Sequence, residues 1–425
     1  VSPLDCMGCG ECVTVCPTKA ITMVPQDSQA DQQAVFDYCV ANISKKPSKF
    51  ADDTVIGSQF NQPLLEFSGS CAGCAETSYA RLITQLFGEK MYISNATGCS
   101  SIWGGTASIS PYTVNKDSGH GPAWCNSLFE DNAEHGLGLY LGQKTVRENL
   151  IKRIAEVAGS DKASAELKAA FDKFMETKNN TKANDEPAKA LIAELEKAAA
   201  AGCEKSAEIL KSKQYIAKKS VWIFGGDGWA YDIGFGGLDH VLASEMYSNT
   251  GGQASKASNI GEVCQFAAAG KEISKKSLSE IAMTYGYIYV AQIALGANMN
   301  QAVKAIAEAE AYPGPSLIIG YAPCELHGVK GGMTNCQNEM KKAVEAGYWN
   351  LFTFNPANKA QGKNPFTLTS KAVDNEKYQA LLANETRYSR LTRAFPERAK
   401  ELFARNQEVA NDRYEHLTRL VELYK

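Results

Sequence analysis

The 425-residue chain carries 44 Lys and Arg against 47 Asp and Glu, a net charge of −3. It lacks the basic surplus of nucleic-acid-binding proteins, and no apolar run approaches the ~18 residues that a membrane span needs. Its length predicts roughly three domains at about 150 residues each. Thirteen cysteines stand at tight local spacings. In a long chain with no signal peptide after Val1, this pattern favours metal or cluster ligation over a disulfide scaffold.

Residues 1–30 predict part of an iron–sulfur ferredoxin domain. Cys6, Cys9, Cys12 and Cys16-Pro17 have the spacing that binds [4Fe–4S] clusters in bacterial ferredoxins. The first three cysteines then hold one cluster and Cys16 turns towards another, so we expect the other ligands upstream of this chain. A zinc site is the less favoured alternative, because zinc prefers two separated cysteine pairs.

The rest of the chain divides by composition. Residues 31–62 predict a linker with a short helix over 33–43, and residues 63–355 a main domain. Residues 63–142 are rich in Gly and Ser, which suits loops around a site more than long helices. Within this domain, residues 143–219 predict a helical insertion of three or four amphipathic helices.

Strand and helix patterns alternate over residues 220–355, which predicts an α/β fold with a doubly wound, mostly parallel sheet. Residues 356–425 predict a C-terminal helical tail. The predicted strands are 220–224, 287–290 and 316–320, and the predicted helices are 237–244, 298–311 and 406–424.

A Gly-Gly-Asp-Gly turn follows the first of these strands. Glycines at the carboxyl end of a strand let a phosphate approach the backbone, and Asp227 offers a hard oxygen ligand for Mg²⁺. Asn249 and Thr250 offer oxygens near the same edge. A tight turn without any ligand is an equally good interpretation of the glycines alone. The Cys71-x-x-Cys74 pair is likewise weak by itself, since redox, zinc and cluster sites all use it.

Together these motifs resemble the pyruvate:ferredoxin (flavodoxin) oxidoreductase family. The resemblance covers nearly the whole chain, corresponds to the C-terminal part of that large enzyme, and implies a thiamine-diphosphate-binding fold. The similar stretches are Gly226-Asp227-Gly228 with Asn249, Cys71-Ala-Gly-Cys74-Ala-Glu76, Asn95-Ala-Thr-Gly-Cys99-Ser-Ser, Gly121-Pro-Ala-Trp-Cys-Asn-Ser-Leu-Phe-Glu-Asp-Asn132 and Tyr321-Ala-Pro-Cys324.

The resemblance assigns roles to individual residues. Cys71, Cys74, Cys99 and Cys324 match the ligands of a [4Fe–4S] cluster near the thiamine. Asp227 matches the side-chain Mg²⁺ ligand. The implied thiamine diphosphate and Mg²⁺ site comprises Glu76, Cys99, Gly226, Asp227, Gly228, Trp229, Glu245, Met246, Tyr247, Ser248 and Asn249. Met246 contributes through its carbonyl, Asn249 reaches towards the reacting centre, and Glu76 and Asn249 are the implied catalytic residues. Trp229 is as readily interpreted as a core residue.

The resemblance implies oxidative decarboxylation of pyruvate to acetyl-CoA and CO₂, with electrons passing through [4Fe–4S] clusters to ferredoxin or flavodoxin. It implies a cytoplasmic homodimer without nucleic-acid or membrane partners, and an incomplete chain whose upstream domains hold coenzyme A. One alternative is a related oxidoreductase acting on 2-oxoglutarate or an arylpyruvate. Another is an electron-transfer module without catalytic thiamine. A non-redox thiamine lyase is disfavoured by the four cluster-type cysteines.

One departure from the family concerns the sequence after Ser244. The family has a hydrophobic strand there, ending in an Asp-Thr whose Thr is a second Mg²⁺ ligand, whereas this chain proceeds directly to Glu245 and Tyr247-Ser248-Asn249. To return from a helix over 237–244 to the sheet edge, a chain needs some five residues at ~3.3 Å each plus a turn. We therefore predict that about ten residues are absent after Ser244. The alternative is a true deletion of a central strand.

Overall fold

The computed structural model describes residues 1–43, 48–105, 110–241 and 254–425. The α-helices of this part are α1 (Glu11–Val15), α2 (Gln32–Asn42), α3 (Val55–Ser58), α4 (Ala75–Phe87), α5 (Cys99–Gly105), α6 (Asn132–Ala158), α7 (Ala165–Thr177), α8 (Asp185–Ala200), α9 (Glu204–Leu210), α10 (Phe235–Val241), α11 (Leu278–Thr284), α12 (Met299–Ala311), α13 (Cys336–Ala346), α14 (Asn375–Asn384), α15 (Thr386–Ala394) and α16 (Pro396–Leu423).

The strands of the described residues form two sheets, so the predicted α/β class with parallel strands is confirmed, although the single continuous sheet is not seen there. One sheet is parallel in the order β2-β1-β3, and the other has the order β5-β4-β6-β7. In the second sheet β4 and β5 are parallel, while β6 and β7 add antiparallel strands. The strands are β1 (Met91–Ala96), β2 (Ala123–Ser127), β3 (Ser220–Phe224), β4 (Tyr289–Ile293), β5 (Ser316–Gly320), β6 (Phe352–Phe354) and β7 (Phe366–Leu368).

Helices pack against the parallel strands and the strands are buried, which explains their composition. All five residues of β4 are buried, and five of the six residues of β1 are. Strands buried on both faces show continuous apolar runs without alternation. The main core also includes the C-terminal region, since Tyr378, Tyr388 and Leu417 are at most 2% exposed within it. The predicted tail is therefore packed into the main body.

The helical segment from α6 to α9 has a hydrophobic core of its own. Leu150, Ile154, Phe174 and Leu191 are among its buried side chains. Ser164 caps α7 by accepting a hydrogen bond from the amide of Leu167. Three or four helices were predicted over residues 143–219, and α6 to α9 are observed there, while the interpretation as an insertion stays a prediction. Their first helix begins earlier than predicted, at Asn132.

Several predicted elements are found with small shifts. The strand predicted at 287–290 is β4, which begins two residues later, and the helix predicted at 406–424 is the final part of the longer α16. The loop interpretation of residues 63–142 was wrong. This region contains α4, β1, α5, β2 and the start of α6. Its apolar side chains recur at helical spacing in α4, and β1 is too short and too fully buried to show alternation.

The described part of the helix predicted over 237–244 belongs to α10, Phe235–Val241. Ser244 and Glu245 lie outside the described residues, so the predicted absence of about ten residues between them stays a prediction. Among the helices of the described ranges, none combines the length and apolar character needed to cross a membrane.

Candidate active site

Two candidate site loops leave neighbouring strands at the same edge of the parallel sheet. In the register of β1 and β3, Asn95 lies opposite Phe224. Cys99 follows the last residue of β1 by three positions, and Asp227 follows the last residue of β3 by three. Because both strands run the same way, the topology itself brings the predicted cluster ligand and the predicted Mg²⁺ ligand to one edge.

A buried asparagine locks the ends of these strands together. The Asn132 amide nitrogen donates to the carbonyl oxygen of Phe224 at 2.8 Å. Its amide oxygen accepts from the hydroxyls of Ser94 at 2.6 Å and Ser127 at 2.9 Å. Asn132 is fully buried. One side chain therefore contacts all three strands, just below the loops that carry Cys99 and Asp227.

The turn after β3 continues into a π-helical turn, Gly228–Ile233. Such turns are rare and occur frequently at functional sites. The Trp229 ring is fully buried and fits between two glycines. A Cβ atom on Gly225 or Gly234 would lie 2.3 Å or 2.1 Å from this ring. Core packing therefore accounts for Trp229, and it requires glycine at positions 225 and 234.

Asp227 has the environment of a cation ligand. Its Oδ1 atom is buried, and no group in the described ranges forms a hydrogen bond with it. Burial raises the pKa of Asp227 to about 7, and the nearby Lys275 ammonium opposes this rise. Lys275 in turn lies over the rings of Tyr231 at 5.3 Å and Trp349 at 5.1 Å. A buried carboxylate oxygen with no hydrogen-bond donor fits a hard cation such as Mg²⁺.

Cys324 lies within electrostatic reach of Cys71, Cys74 and Cys99, so cysteines from three separate loops share one region. Burial raises the pKa of the Cys324 thiol to about 11, and Glu76, Cys99 and Cys71 raise it further. Burial likewise raises the pKa of Cys74 to about 12, with added contributions from Glu76 and Cys324. Iron would favour the thiolates that this environment disfavours. The donor set therefore fits a [4Fe–4S] cluster in chemistry.

These thiols are neighbours without forming a closed ligand set. In the described ranges, no three His, Cys, Asp or Glu side chains are grouped as a metal site. The binding of a cluster by Cys71, Cys74, Cys99 and Cys324 thus stays a prediction. The predicted residues Glu245, Met246, Tyr247, Ser248 and Asn249 lie outside the described residues, as does Thr250.

Helix α4 connects the Cys74 loop to the Cys324 loop. The Tyr79 hydroxyl donates to the carbonyl oxygen of Tyr321 at 2.9 Å and accepts from the Leu295 amide at 3.1 Å. Glu76, in the first turn of α4, is 4% exposed. It accepts a hydrogen bond from the Trp103 indole nitrogen at 3.1 Å. Because Trp103 is on α5, these bonds join the three cysteine loops through buried side chains.

The N-terminal cysteines surround a short helix. Gly8 and Gly10 have φ values of +70° and +73°, the left-handed conformation that glycine adopts without strain. α1 begins directly after Gly10. The Cys16 thiol accepts a hydrogen bond from the Ala20 amide at 3.3 Å. The Thr18 hydroxyl, followed by this amide, lowers the pKa of Cys16 to about 7. A low thiol pKa favours the thiolate that binds iron.

Comparison with known proteins agrees with these features. Residues 1–22 match the family model of the 4Fe-4S binding domain. Over 99% of its length the chain is 49% identical to the pyruvate-flavodoxin oxidoreductase of Klebsiella pneumoniae and to the pyruvate:ferredoxin oxidoreductase of Moorella thermoacetica. The resemblance to the pyruvate:ferredoxin (flavodoxin) oxidoreductases is confirmed. The chain spans 36% and 37% of the length of these two relatives.

Other relatives are more distant. The mitochondrial pyruvate dehydrogenase [NADP(+)] of Euglena gracilis is 42% identical over 99% of this chain, which spans 24% of that protein. A solved 2-oxoglutarate:ferredoxin oxidoreductase from Magnetococcus marinus matches 63% of this chain and 67% of its own. Its identity is 14% and its TM-score 0.35. This likeness is too weak to support any inference about the fold.

Sequence reasoning missed the residues that hold the site together. Asn132 ends one of the stretches that carry the resemblance, yet only the three-strand sheet explains its buried amide. Tyr79 lies three residues before Leu82 and four residues before Ile83. This helical spacing of apolar residues was a signal in the sequence that could have predicted the buried position of Tyr79. The sequence also carries no local signal for the position of Cys336. This residue is fully buried and hydrogen-bonded to Glu11 in the N-terminal segment.

Proposed function

We propose that this chain supplies the thiamine diphosphate–Mg²⁺ site, one [4Fe–4S] cluster and part of the ligands of further clusters to a pyruvate:ferredoxin (flavodoxin) oxidoreductase. The observation that carries the proposal is the placement of Cys99 and Asp227 three residues beyond neighbouring strands at one sheet edge. A metal–diphosphate site and a redox cluster at the same edge would let decarboxylation and electron removal occur together.

Asp227 would hold Mg²⁺ in this proposal, and the metal would supply positive charge to balance the diphosphate. The ammonium of Lys275 lies close enough to lower the pKa of Asp227 and adds positive charge near this carboxylate. Gly226 and Gly228 keep the backbone free of side chains where the diphosphate approaches. When bound, thiamine diphosphate supplies carbonyl addition and decarboxylation of a 2-oxo acid.

Glu76 and the four cysteines shape the region where the electrons leave. Glu76 is held by Trp103, so its carboxylate points away from bulk solvent between the cysteine loops. Cys71, Cys74, Cys99 and Cys324 hold one cluster, and Cys6, Cys9 and Cys12 hold another. Overall, pyruvate and coenzyme A give acetyl-CoA, CO₂, a proton and two electrons, which leave one at a time to ferredoxin or flavodoxin.

The finer organisation is part of the same proposal. Residues 1–30 belong to a two-cluster ferredoxin domain and residues 63–355 to a thiamine-diphosphate-binding fold, in which residues outside the described ranges, including Met246 and Asn249, complete the site. The relatives are nearly three times as long as this chain. The groups that bind pyruvate and coenzyme A are therefore proposed to lie in other parts of the protein. The cytoplasmic location and the homodimer stay predictions from the resemblance.

A related oxidoreductase acting on 2-oxoglutarate or an arylpyruvate is a second candidate, because the substrate carboxylate site lies outside this chain in the proposal. The names of the relatives favour pyruvate. An electron-transfer module without thiamine is a third candidate. The buried Oδ1 of Asp227, which no group in the described ranges satisfies, counts against it. A module that only carried electrons would have no need of a buried carboxylate at this turn.

The test compares Asp227→Asn with a matched control, Asp232→Asn. Asp232 lies five residues further on, and its carboxylate accepts hydrogen bonds from Ser255 Oγ at 2.5 Å and Lys256 Nζ at 3.0 Å. The protein, purified anaerobically and reconstituted with iron and sulfide, is titrated calorimetrically with thiamine diphosphate and Mg²⁺. We expect Asp227→Asn to weaken binding at least 100-fold, because the metal loses a charged ligand. Asp232→Asn should keep wild-type affinity.

Iron content and visible absorbance are measured on the same samples. Both variants should keep the clusters of the parent protein. Equal loss of clusters and thiamine binding in Asp227→Asn would make Asp227 a folding residue. A parent protein that binds iron but no thiamine diphosphate would favour the electron-transfer module.

A further inference from the structure

The N-terminal segment contacts the main body at a short turn, Met333–Asn335. The hydroxyls of Thr14 in α1 and Thr334 in this turn lie 3.0 Å apart, within hydrogen-bond distance. Gly10, at the start of α1, faces the same threonine, because a Cβ atom there would lie 3.1 Å from Thr334 Oγ1. The candidate cluster loop that ends in α1 is therefore seated closely on this turn.

A second polar contact joins α1 to Cys336, two residues after Thr334. The Cys336 thiol donates a hydrogen bond to Glu11 Oε1 at 2.9 Å, and Cys336 is fully buried. Burial raises the pKa of Cys336, and Glu11, Cys74 and Cys9 raise it further. Cys336 thus lies within electrostatic reach of one cysteine from each of the two proposed cluster sets.

The other side of the Met333–Asn335 turn packs against the loop that carries Cys71 and Cys74. Gly73 lies between Cys71 and Cys74 and has a φ of +77°. A Cβ atom on Gly73 would lie 2.7 Å from the carbonyl oxygen of Met333 and 2.9 Å from its Cβ. No residue other than glycine fits there. The loop that carries Cys71 and Cys74 therefore rests directly against the turn that holds α1.

We propose that residues 333–336, through Thr334 and Cys336, form the contact that holds the two cluster-binding loops at a fixed separation. The inference rests on the proposed function, since it assumes that each cysteine set binds a cluster. Cys71, Cys74, Cys99 and Cys324 would hold one cluster, and Cys6, Cys9 and Cys12 would hold the other. When both are bound, they would supply one-electron transfer between the two loops, in which one cluster loses the electron that the other gains and no bond is made or broken.

Thr334 and Cys336 act as positioning residues in this proposal. A turn between the two sites fixes their separation only if both loops are packed on it, and both contacts are present here. The thiol of Cys336 is already committed to Glu11, so it serves the contact rather than either cluster. Glu11 and Thr14 occur on one face of α1, at a spacing of three residues.

The experiment uses the full chain and the variants Thr334→Val and Cys336→Ala. Matched controls are Thr418→Val, whose hydroxyl donates to the Tyr414 carbonyl within its own helix, and Cys203→Ala in the helical insertion. Hydrogen–deuterium exchange of residues 1–22 is measured first, before iron is added. We expect this segment to exchange about fivefold faster in both test variants, as the loss of one hydrogen bond predicts. The controls should match the parent.

The second readout uses the chain reconstituted with iron and sulfide and reduced with dithionite. Paramagnetic resonance of the two reduced clusters reports their magnetic interaction, which falls as their separation grows or becomes variable. The interaction should be weaker in Thr334→Val and Cys336→Ala at unchanged iron content. Thr14→Val removes the same hydroxyl contact from the other side, so it gives the same result even if a turn variant fails to fold.

Unchanged exchange of residues 1–22 together with an unchanged magnetic interaction in all three variants would overturn the inference. A parent chain that binds no iron would refute the proposed function instead. In that case the exchange measurement still decides whether Thr334 and Cys336 hold the N-terminal segment. Faster exchange with an unaltered magnetic interaction would show a contact that does not set the cluster separation, and it would also overturn the inference.

Discussion

The Tyr79 hydroxyl and the carbonyl oxygen of Tyr321 are 2.9 Å apart and join helix α4, which Cys74 precedes, to the loop that carries Cys324. The same hydroxyl accepts a hydrogen bond from the Leu295 amide at 3.1 Å. Tyr79 is completely buried. The packing of one phenol therefore fixes the relative position of two loops that are 250 residues apart in the sequence.

Tyr79→Phe should destabilise the protein by about 2–3 kcal/mol, because it leaves a buried amide and a buried carbonyl without their partner. Urea unfolding of the chain measures this change. The control is Tyr285→Phe, since the Tyr285 hydroxyl bonds to Asp239 at an exposed position. We expect the control to cost less than ~0.5 kcal/mol. Equal losses of unfolding free energy in the two variants would show that burial of the Tyr79 hydroxyl does not increase its contribution to stability.

Asn132→Ala should be among the most damaging single substitutions in the main body. It removes one hydrogen bond to the Phe224 carbonyl and two from Ser94 and Ser127, all within the buried sheet edge. We expect a loss of about 3 kcal/mol in the free energy of unfolding. Asn411→Ala, at an exposed position on α16, is the control and should change stability by less than ~0.5 kcal/mol.

Asn132→Asp separates the roles of the amide oxygen and nitrogen. The aspartate keeps an acceptor for the two serines but places a second acceptor against the Phe224 carbonyl. It should therefore destabilise the protein at neutral pH and recover part of the loss when acid protonates the carboxyl group. A flat pH response of this variant between pH ~4 and ~8 would contradict the buried position of the amide.

Much of this architecture could be predicted from the sequence, because its signals are local. The strand Ser220–Phe224 and the turn after it were predicted at their observed positions, since apolar β-rich residues and glycines mark them directly. The amphipathic helices α7 and α8 were predicted for the same reason. The contact of Cys336 with Glu11 spans 325 positions, and no local pattern encodes it.

The ligand set Cys71, Cys74, Cys99 and Cys324 came from the resemblance, not from spacing. Nothing in the sequence between Cys99 and Cys324 shows that these two residues lie in the same region. The parallel register of β1 and β3 explains only why Cys99 and Asp227 lie at the same sheet edge. The pairing of Tyr79 with Tyr321 needs both α4 and β5 in place. Long-range contacts of this kind depend on topology, which composition and periodicity leave open.

The ion pair between Lys90 and Asp185 predicts a specific acid response. Lys90 Nζ lies 2.7 Å from Asp185 Oδ1 and ties the helical insertion to the residue before β1. Burial tends to raise the pKa of Asp185, but the hydrogen bonds and charges of Lys90 and Lys189 outweigh it and lower the pKa. A carboxylate with a lowered folded-state pKa stabilises the protein above its unfolded value, and this contribution is lost as pH falls through the folded pKa.

Asp185→Asn should therefore cost about 1 kcal/mol at pH 7, the range for a partly exposed pair, and flatten the acid limb of the stability curve below pH ~4. Urea midpoints measured at several acidic pH values check this. Asp172→Asn, at an exposed position on α7, is the control and should leave the limb unchanged. A parallel shift of the whole Asp185→Asn curve, with no change in its slope, would contradict the pKa argument.

The Trp103 indole donates to Glu76 Oε2 at 3.1 Å, and both side chains are only 4% exposed. A hydrogen bond to a charged group is worth more than a neutral one, about 1.5–3 kcal/mol. Trp103→Phe should therefore destabilise the protein by about 2–3 kcal/mol, including some loss of packing. It should also weaken thiamine diphosphate binding in the proposed site, because Glu76 loses the partner that holds its carboxylate.

Trp222→Phe is the matched control for this last prediction. The Trp222 indole donates to the Ser220 hydroxyl at 3.0 Å, a neutral partner, and its ring stacks on Phe87. The control removes one indole hydrogen bond and a similar ring volume at a position 6% exposed. It should cost about 1 kcal/mol less than Trp103→Phe and leave thiamine binding unchanged. If both variants lost thiamine affinity equally, the effect would come from general loosening of the sheet, and Glu76 would have no particular role in the pocket.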